Sequence, residues 1–201
     1  MNELQHQMPE EINQLVERCR AHVQKRFNIE LDFTSDTLSV LDFFVEEMVK
    51  EENNGVCPPG GHPARMNMIH LFAPTFAAYF GAVLTNHFGG RFRHVEKDVS
   101  EWRFEFETFL VRFNPVAVAA NVIAKTEVKG LDSILHSSAK LMPKLQERFD
   151  AAPDVLEDDF FSFCTFFESI QIANDFLTEV SQKDGKPDCS PDGYDRLIGN
   201  K

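Results

Sequence analysis

The sequence has 201 residues and a formal net charge of −12, from 32 acidic and 20 basic residues. This length supports one sizeable hydrophobic core, and the content of 43% hydrophobic and 26% charged residues is typical of a globular chain rather than a disordered one. The excess negative charge disfavours nucleic acids and anionic membrane surfaces as partners, because their phosphates would be repelled. It favours solubility and a basic partner.

Phenylalanine dominates the aromatic residues, with 20 Phe against one Trp and two Tyr. The Phe ring carries no polar group, so it belongs in a dry core or a dry interface. We therefore expect an aromatic core, and we expect any exposed cluster of Phe to mark a partner site.

Targeting and redox signals point to the cytoplasm. Residues 1–20 show no positive region followed by an apolar run, and the closest candidate for a membrane span, residues 69–84, is interrupted by polar residues and too short. The four cysteines are far apart in the sequence: Cys19, Cys57, Cys164 and Cys189. We expect reduced thiols in a cytoplasmic protein of bacterial type.

Two helices and a loop are predicted in the first third of the chain. Apolar residues recur at helical spacing over 10–27, which indicates an amphipathic helix. Apolar and acidic residues alternate over 29–33, which indicates a short extended piece. Thr34 or Ser35 suits the N-cap of a second helix with one apolar face. Residues 53–63 contain three prolines and three glycines and predict a loop within one domain.

The middle of the sequence predicts a buried helix followed by a small sheet. Residues 74–88 are apolar on nearly every side, and we expect Pro74 near the helix start because proline disfavours a helix interior. The apolar period then changes from helix-like to strand-like, which predicts an antiparallel meander. Its three strands are expected at 91–95, 102–107 and 110–113. Asn114 and Pro115 then suit the N-cap and first residue of a short helix over 116–125.

The last third is predicted to be helical until a polar tail. A helix is expected from Asp132 or Ser133, with Pro143 kinking or splitting it. A long, phenylalanine-rich helix is expected over 155–182. From residue 183 onward Pro, Gly and Asp predominate, which predicts a polar, flexible tail over 183–201.

These elements predict one α+β domain over residues 1–182. We expect about six helices packed around a three-stranded antiparallel β-meander, with the helix over 74–88 at the centre.

Five short strings resemble a family of small uncharacterised bacterial proteins. They are LDFTSDTLSVLD at 31–42, AAYFGAVL at 77–84, GGRF at 89–92, NP at 114–115 and GLDSI at 130–134. The corresponding family patterns are LDYSPESLxxLD, LGAYxGEV, GGxW, NP and GxDSL. The family has no established activity, so the resemblance implies a fold rather than a function. The chain departs from the pattern at Ala82, where the family often has glutamate, and at Phe92, where it has tryptophan.

The candidate chemistry is centred on Cys57, His62 and His70. Thiolate and imidazole are ligands that suit zinc, but these three residues contain no closely spaced ligand pair, and a surface loop with incidental side chains is the alternative. Cys57 beside one of the histidines is also a candidate nucleophile. Carboxylate pairs such as Asp42 and Glu46 are interpreted as solvated helix faces rather than acid–base pairs. The sequence contains no phosphate-loop, dinucleotide or serine-nucleophile motif.

Two surfaces are candidates for binding a partner protein. The first is the phenylalanine stripe of the last predicted helix, with Phe160, Phe163 and Phe167, for which core packing is the alternative. The second is the charged face of the sheet, with Arg103 and Arg112, for which cross-strand ion pairs are the alternative.

We expect a non-catalytic cytoplasmic protein that acts through protein–protein contacts, either as a homodimer or as an acidic partner-binding module, and without a cofactor. A metal-dependent enzyme or zinc-binding protein that uses Cys57, His62 and His70 is the alternative. A small apolar ligand held in the Phe-lined core is the third hypothesis.

Overall fold

The computed structural model describes residues 8–54, 63–156 and 159–198. Within these ranges the chain forms seven α-helices, a 3₁₀ turn at Val99–Glu101 and three strands. The helices are α1 (Glu10–Phe27), α2 (Asp36–Asn54), α3 (Pro63–Phe88), α4 (Pro115–Ala124), α5 (Met142–Asp150), α6 (Phe163–Asp184) and α7 (Pro191–Leu197). The strands β1 (Gly90–Arg93), β2 (Arg103–Phe106) and β3 (Arg112–Phe113) form one antiparallel sheet in that order. The predicted α+β class with a three-stranded meander is confirmed.

Helix α3 is the centre of the core. Every residue from 75 to 85 is buried, and α3 packs most extensively against α4 and α1. Helix α4 is buried along its whole length. The Asn114 side chain caps α4 by accepting hydrogen bonds from the backbone N–H groups of Val116 and Ala117, as its position before Pro115 predicted.

The prediction that Pro74 lies near a helix start is wrong, because α3 begins at Pro63 and continues through Pro74. A proline inside a helix removes one backbone N–H donor, here the partner of the His70 carbonyl. The buried surroundings on both sides of Pro74 stabilise the helix, since tertiary packing outweighs local propensity.

The stretch Arg65–Phe88 of α3 is long and apolar enough to cross a membrane. However, 78% of its most apolar window is buried inside the protein, as in the core helix of a soluble protein.

The sheet presents an apolar face to α3. The register pairs Phe92 with Phe104 and Phe104 with Phe113, and all three rings are buried. A Cβ atom at Gly81 of α3 would lie 2.2 Å from Phe92 Cζ, so the absence of a side chain there allows the helix and β1 to approach closely.

The connection between α4 and α5 differs from the helix predicted from Asp132 or Ser133. Residues 125–141 are not helical, and Arg112 and His136 exchange backbone hydrogen bonds of 2.9 and 2.8 Å at an isolated antiparallel bridge. Helix α5 begins only at Met142, with Pro143 in its first turn, where a missing N–H costs nothing.

The last long helix also begins later than predicted. Residues 155 and 156 are not helical, and α6 starts at Phe163. The Ser162 hydroxyl accepts a hydrogen bond from the backbone N–H of Thr165, which makes Ser162 the N-cap. The sequence predicts a start at residue 155 because phenylalanine is frequent on both sides of the true boundary.

The C-terminal segment packs onto the sheet, which differs from the flexible tail predicted for residues 183–201. Tyr194 of α7 is fully buried, and its hydroxyl lies 2.8–3.0 Å from the carbonyl oxygens of Phe106, Phe109 and Val111. The same hydroxyl accepts a hydrogen bond of 3.2 Å from the Val111 N–H. The buried ring of Tyr194, with its hydroxyl in hydrogen bonds, thus holds the C-terminal segment to the sheet although the composition of that segment is polar.

Candidate functional site, an apolar groove with an acidic lining

A groove of about 960 Å³ lies between α2, α4, α5 and α6. The connections from α4 to α5 and from α5 to α6 form its remaining walls. The lining includes buried Val118 and Val122 of α4 and buried Leu135. Its volume is at the upper end of what small-molecule sites enclose, so the groove accommodates several side chains at once.

Large apolar side chains are exposed around this groove. They are Phe43, Ile134, Val155, Leu156 and Phe160. Their exposed fractions range from 44% for Val155 to 73% for Leu156. The described residues contain three other exposed large apolar side chains, and none of these lines the groove. This concentration at one place is typical of a contact surface rather than of ordinary surface composition.

The charged side chains that line the groove are all acidic in the described part of the chain. They are Asp42, Glu46, Glu127, Asp154, Asp159 and Glu168. No described lysine, arginine or histidine lines the groove. The groove is therefore apolar and electronegative at the same time.

Asp42 of α2 caps the N-terminus of α6. Its carboxylate oxygens accept hydrogen bonds from the backbone N–H groups of Phe163, at 2.8 Å, and Cys164, at 3.1 Å. These are among the N–H groups that a helix leaves unpaired in its first turn. Burial raises the pKa of Asp42 above its ordinary value, while the two hydrogen bonds and the charge of Lys125 act in the opposite direction. Asp42 therefore joins two walls of the groove.

Lys125 is the cation nearest to this capping interaction. It follows α4 in a left-handed conformation, with φ 53°, and its Nζ donates a hydrogen bond of 3.1 Å to the Phe161 carbonyl. The same Nζ lies 3.7 Å from Glu46 Oε1. The charge of Lys125 is thus already engaged by the groove wall.

Cys164 lines the groove but is a poor nucleophile. Burial and the neighbouring Asp42 raise the pKa of its thiol to about 12, so it stays protonated at neutral pH. No described histidine lines the groove to act as its base. The described lining supports binding rather than nucleophilic chemistry.

The predicted phenylalanine stripe is divided by the structure. Phe160 is 59% exposed and lines the groove, whereas Phe163 and Phe167 are buried in the core of the same chain. The other predicted surface, the charged sheet face, is partly covered: Arg112 is only 5% exposed and Arg103 lies 3.7 Å from Asp195 of α7.

Two of the three candidate metal ligands, Cys57 and His62, lie outside the described residues. His70 is exposed on α3. Across the positions that the structure describes, no three side chains of His, Cys, Asp or Glu are grouped so that they could hold a metal ion.

Sequence reasoning missed most of the groove. Phe43 and Ile134 were not candidates, because each is a single apolar residue in a segment without a chemical motif. Asp42 was interpreted as part of a solvated helix face. The one signal that pointed here was the excess of phenylalanine near Phe160.

No protein-family model, curated protein sequence or solved structure matches this chain. The resemblance to the small bacterial proteins therefore stays a prediction.

Proposed function

We propose that this protein is a cytoplasmic binding protein whose groove takes an apolar, basic segment of a partner protein. The observation that carries the proposal is the coincidence of five exposed apolar side chains and six carboxylates in one groove. The occupant that fits is an amphipathic helix with leucine-like anchors on one face and lysine or arginine beside them.

The apolar part of the groove supplies the anchoring contacts. Aromatic side chains at the centre of an interface contribute more binding energy than other residues, and Phe43 and Phe160 offer two such rings. Covering them removes apolar surface from water, which stabilises a complex by roughly 25 cal/mol per Å² before the costs of association.

The acidic part of the groove selects the charge of the partner. Asp42 is used as a cap and Glu46 faces Lys125, but the other four carboxylates have no ion pair among the described residues, so they attract a basic segment and repel an acidic one. The overall charge of −12 acts in the same direction over longer distances at low salt.

Binding of a fluorescent helical peptide built from leucine and lysine tests the proposal. We expect saturable binding by fluorescence anisotropy, and weaker binding as salt rises. A peptide of equal length built from leucine and glutamate should bind at least about tenfold more weakly, a difference of about 1.4 kcal/mol.

Phe160→Asp and Leu71→Asp form a matched pair of variants. Leu71 is also strongly exposed, at 68%, but lies on α3 outside the groove. Phe160→Asp should weaken peptide binding by about tenfold or more, because it removes a central anchor. Leu71→Asp should leave the affinity unchanged.

Equal binding of both peptides, or equal affinity of both variants, would contradict the proposal. A wild-type dimer in light scattering that Phe160→Asp converts to a monomer would assign the groove to a second copy of the chain. Tight binding of an uncharged apolar dye that the basic peptide does not displace would assign it to a small ligand.

A further inference from the structure

The sheet face opposite the apolar core carries four arginines in an otherwise acidic protein. They are Arg91 and Arg93 on β1, Arg103 on β2 and Arg112 on β3. Alternation along the strands and the observed register place all four on one face, because Arg93 pairs with Arg103 and Arg112 pairs with Glu105. Like charges directly opposite each other, such as Arg93 and Arg103, destabilise a sheet unless an anion lies near them.

Two of these guanidinium groups have no hydrogen-bond acceptor among the described residues. The Nη1 atoms of Arg103 and Arg112 are buried without a partner. Arg112 is only 5% exposed, and its guanidinium has five donors to satisfy. A buried charged donor without an acceptor is costly, so this arrangement calls for an acceptor with negative charge.

The carboxylates nearby are too few to fill that role. Glu105 is the cross-strand partner of both Arg91 and Arg112 and lies 3.4 Å from the Arg91 guanidinium, but no hydrogen bond joins it to Arg112 among the described residues. Glu107 lies 3.8 Å from Arg91 at one end of the face. At the other end Asp195 of α7 lies 3.7 Å from Arg103, beyond hydrogen-bond distance.

The local electrostatics are positive at this second end. Burial first, and then the charges of Arg103, Lys97 and Arg93, lower the pKa of His94. Burial and then the charge of Arg103 also lower the pKa of Arg112, while the charges of Glu105 and Asp195 act in the opposite direction. Solvent reaches this end, since 18% of the Arg103 side chain is exposed and Arg93 is half-buried.

We infer that Arg93, Arg103 and Arg112 form a binding site for a phosphate group, either free phosphate or a phosphate monoester. Phosphate oxygens accept the paired hydrogen bonds that a guanidinium offers and supply the missing negative charge. The carboxylate of Asp195 competes for the same donors, because it is the anion of the C-terminal segment that comes nearest to Arg103. This site lies on the sheet and is independent of the groove between the helices.

Calorimetric titration of the full chain with inorganic phosphate and with phosphoserine tests this inference, at constant ionic strength and with chloride as the reference. We expect saturable binding of at least one of the two. Binding of inorganic phosphate assigns the site to the free anion, and clearly tighter binding of phosphoserine assigns it to an ester.

Three variants give the expected pattern. Arg103→Gln should weaken binding by about tenfold, the value of one charge-assisted hydrogen bond. Asp195→Asn should tighten binding by about threefold or more, because it removes the competing carboxylate. Arg18→Gln, which changes an exposed arginine of α1, should have no effect.

Heat of binding indistinguishable from that of chloride would overturn the inference, and so would equal affinity of Arg103→Gln and the wild type. If circular dichroism shows that Arg103→Gln does not fold, Arg93→Gln and Asp195→Asn decide. Unchanged affinity in both of those variants would then overturn it.

Discussion

At the scale of single residues, Asp42 shows how a position in the fold changes the role of a side chain. On the sequence it is one of several carboxylates on an acidic helix. In the structure it accepts two backbone hydrogen bonds from the start of α6, which lies more than a hundred residues away in the chain. The carboxylate of Asp42 is therefore part of the wall of the groove. Its protonation state affects the stability of the fold, because the same carboxylate caps α6.

The pH dependence of stability should carry the signature of Asp42. Burial raises its pKa in the folded state above the ordinary aspartate value of 3.8. At a pH between the pKa of Asp42 in the unfolded chain and its higher pKa in the folded state, the folded protein binds more protons than the unfolded chain. The contribution of Asp42 to the free energy of unfolding therefore falls as the pH rises. Asp42→Asn cannot titrate. The unfolding free energy of the wild type minus that of Asp42→Asn, from urea titrations, should therefore decrease as the pH rises through this window.

A difference that grows with pH would show that the capping hydrogen bonds lower the pKa of Asp42 below its ordinary value. Asp42→Ala is the companion variant, because alanine offers no acceptor to the N–H groups of Phe163 and Cys164. It should lose about 1–3 kcal/mol, the cost of a lost cap and unpaired buried donors, and this loss should also shrink as the pH rises because alanine does not titrate.

At the scale of elements, predictions succeeded where one segment determines its own structure. The buried character of α3 and the alternation of β2 follow from the apolar period of each segment. Predictions were wrong where contacts with distant residues determine the local structure. Tertiary packing keeps Pro74 inside α3, and His136 pairs with Arg112 instead of continuing a helix. The groove belongs to this second class, because its lining comes from four helices and two connections.

The close approach of α3 and β1 gives a prediction at this scale. Gly81→Ala would place a Cβ atom 2.2 Å from Phe92 Cζ and 3.3 Å from Phe104 Cδ2. We expect overpacking to cost about 1–3 kcal/mol, partly offset by the better helix propensity of alanine. Urea unfolding would measure the loss.

Phe92→Leu provides the control for this contact. A smaller side chain at position 92 leaves space for the new methyl group, so Gly81→Ala should cost less in the Phe92→Leu background than in the wild type. Equal costs in both backgrounds would show that the Phe92 ring does not limit the approach of the helix.

At the scale of the whole molecule, the net charge of −12 conceals two opposite surfaces. The groove between the helices is lined by carboxylates, whereas one face of the sheet carries four arginines. Composition averages over both, whereas the alternation of residues along the predicted strands placed Arg103 and Arg112 together on the charged face of the sheet. The C-terminal segment lies against the arginine face, and α7 therefore influences both stability and access to that face.

Removal of one hydroxyl tests how firmly this segment is held. The Tyr194 hydroxyl accepts from the Val111 N–H and lies within hydrogen-bond distance of three carbonyl oxygens at the β2–β3 connection. Tyr194→Phe keeps the ring but removes the hydrogen bonds of the hydroxyl to this connection, while the Val111 N–H still donates to the Phe109 carbonyl at 2.9 Å, so the free energy of unfolding should fall by about 0.5–1.5 kcal/mol. Hydrogen exchange should then rise at Val111 and along α7, while α4, which is buried along its length and packs mainly against α3, stays protected. A global loss of stability with unchanged exchange along α7 would mean that the segment unfolds only with the whole domain. Unchanged stability and exchange would instead mean that the segment is the loose tail that its composition predicted, and that Tyr194 does not hold it to the sheet.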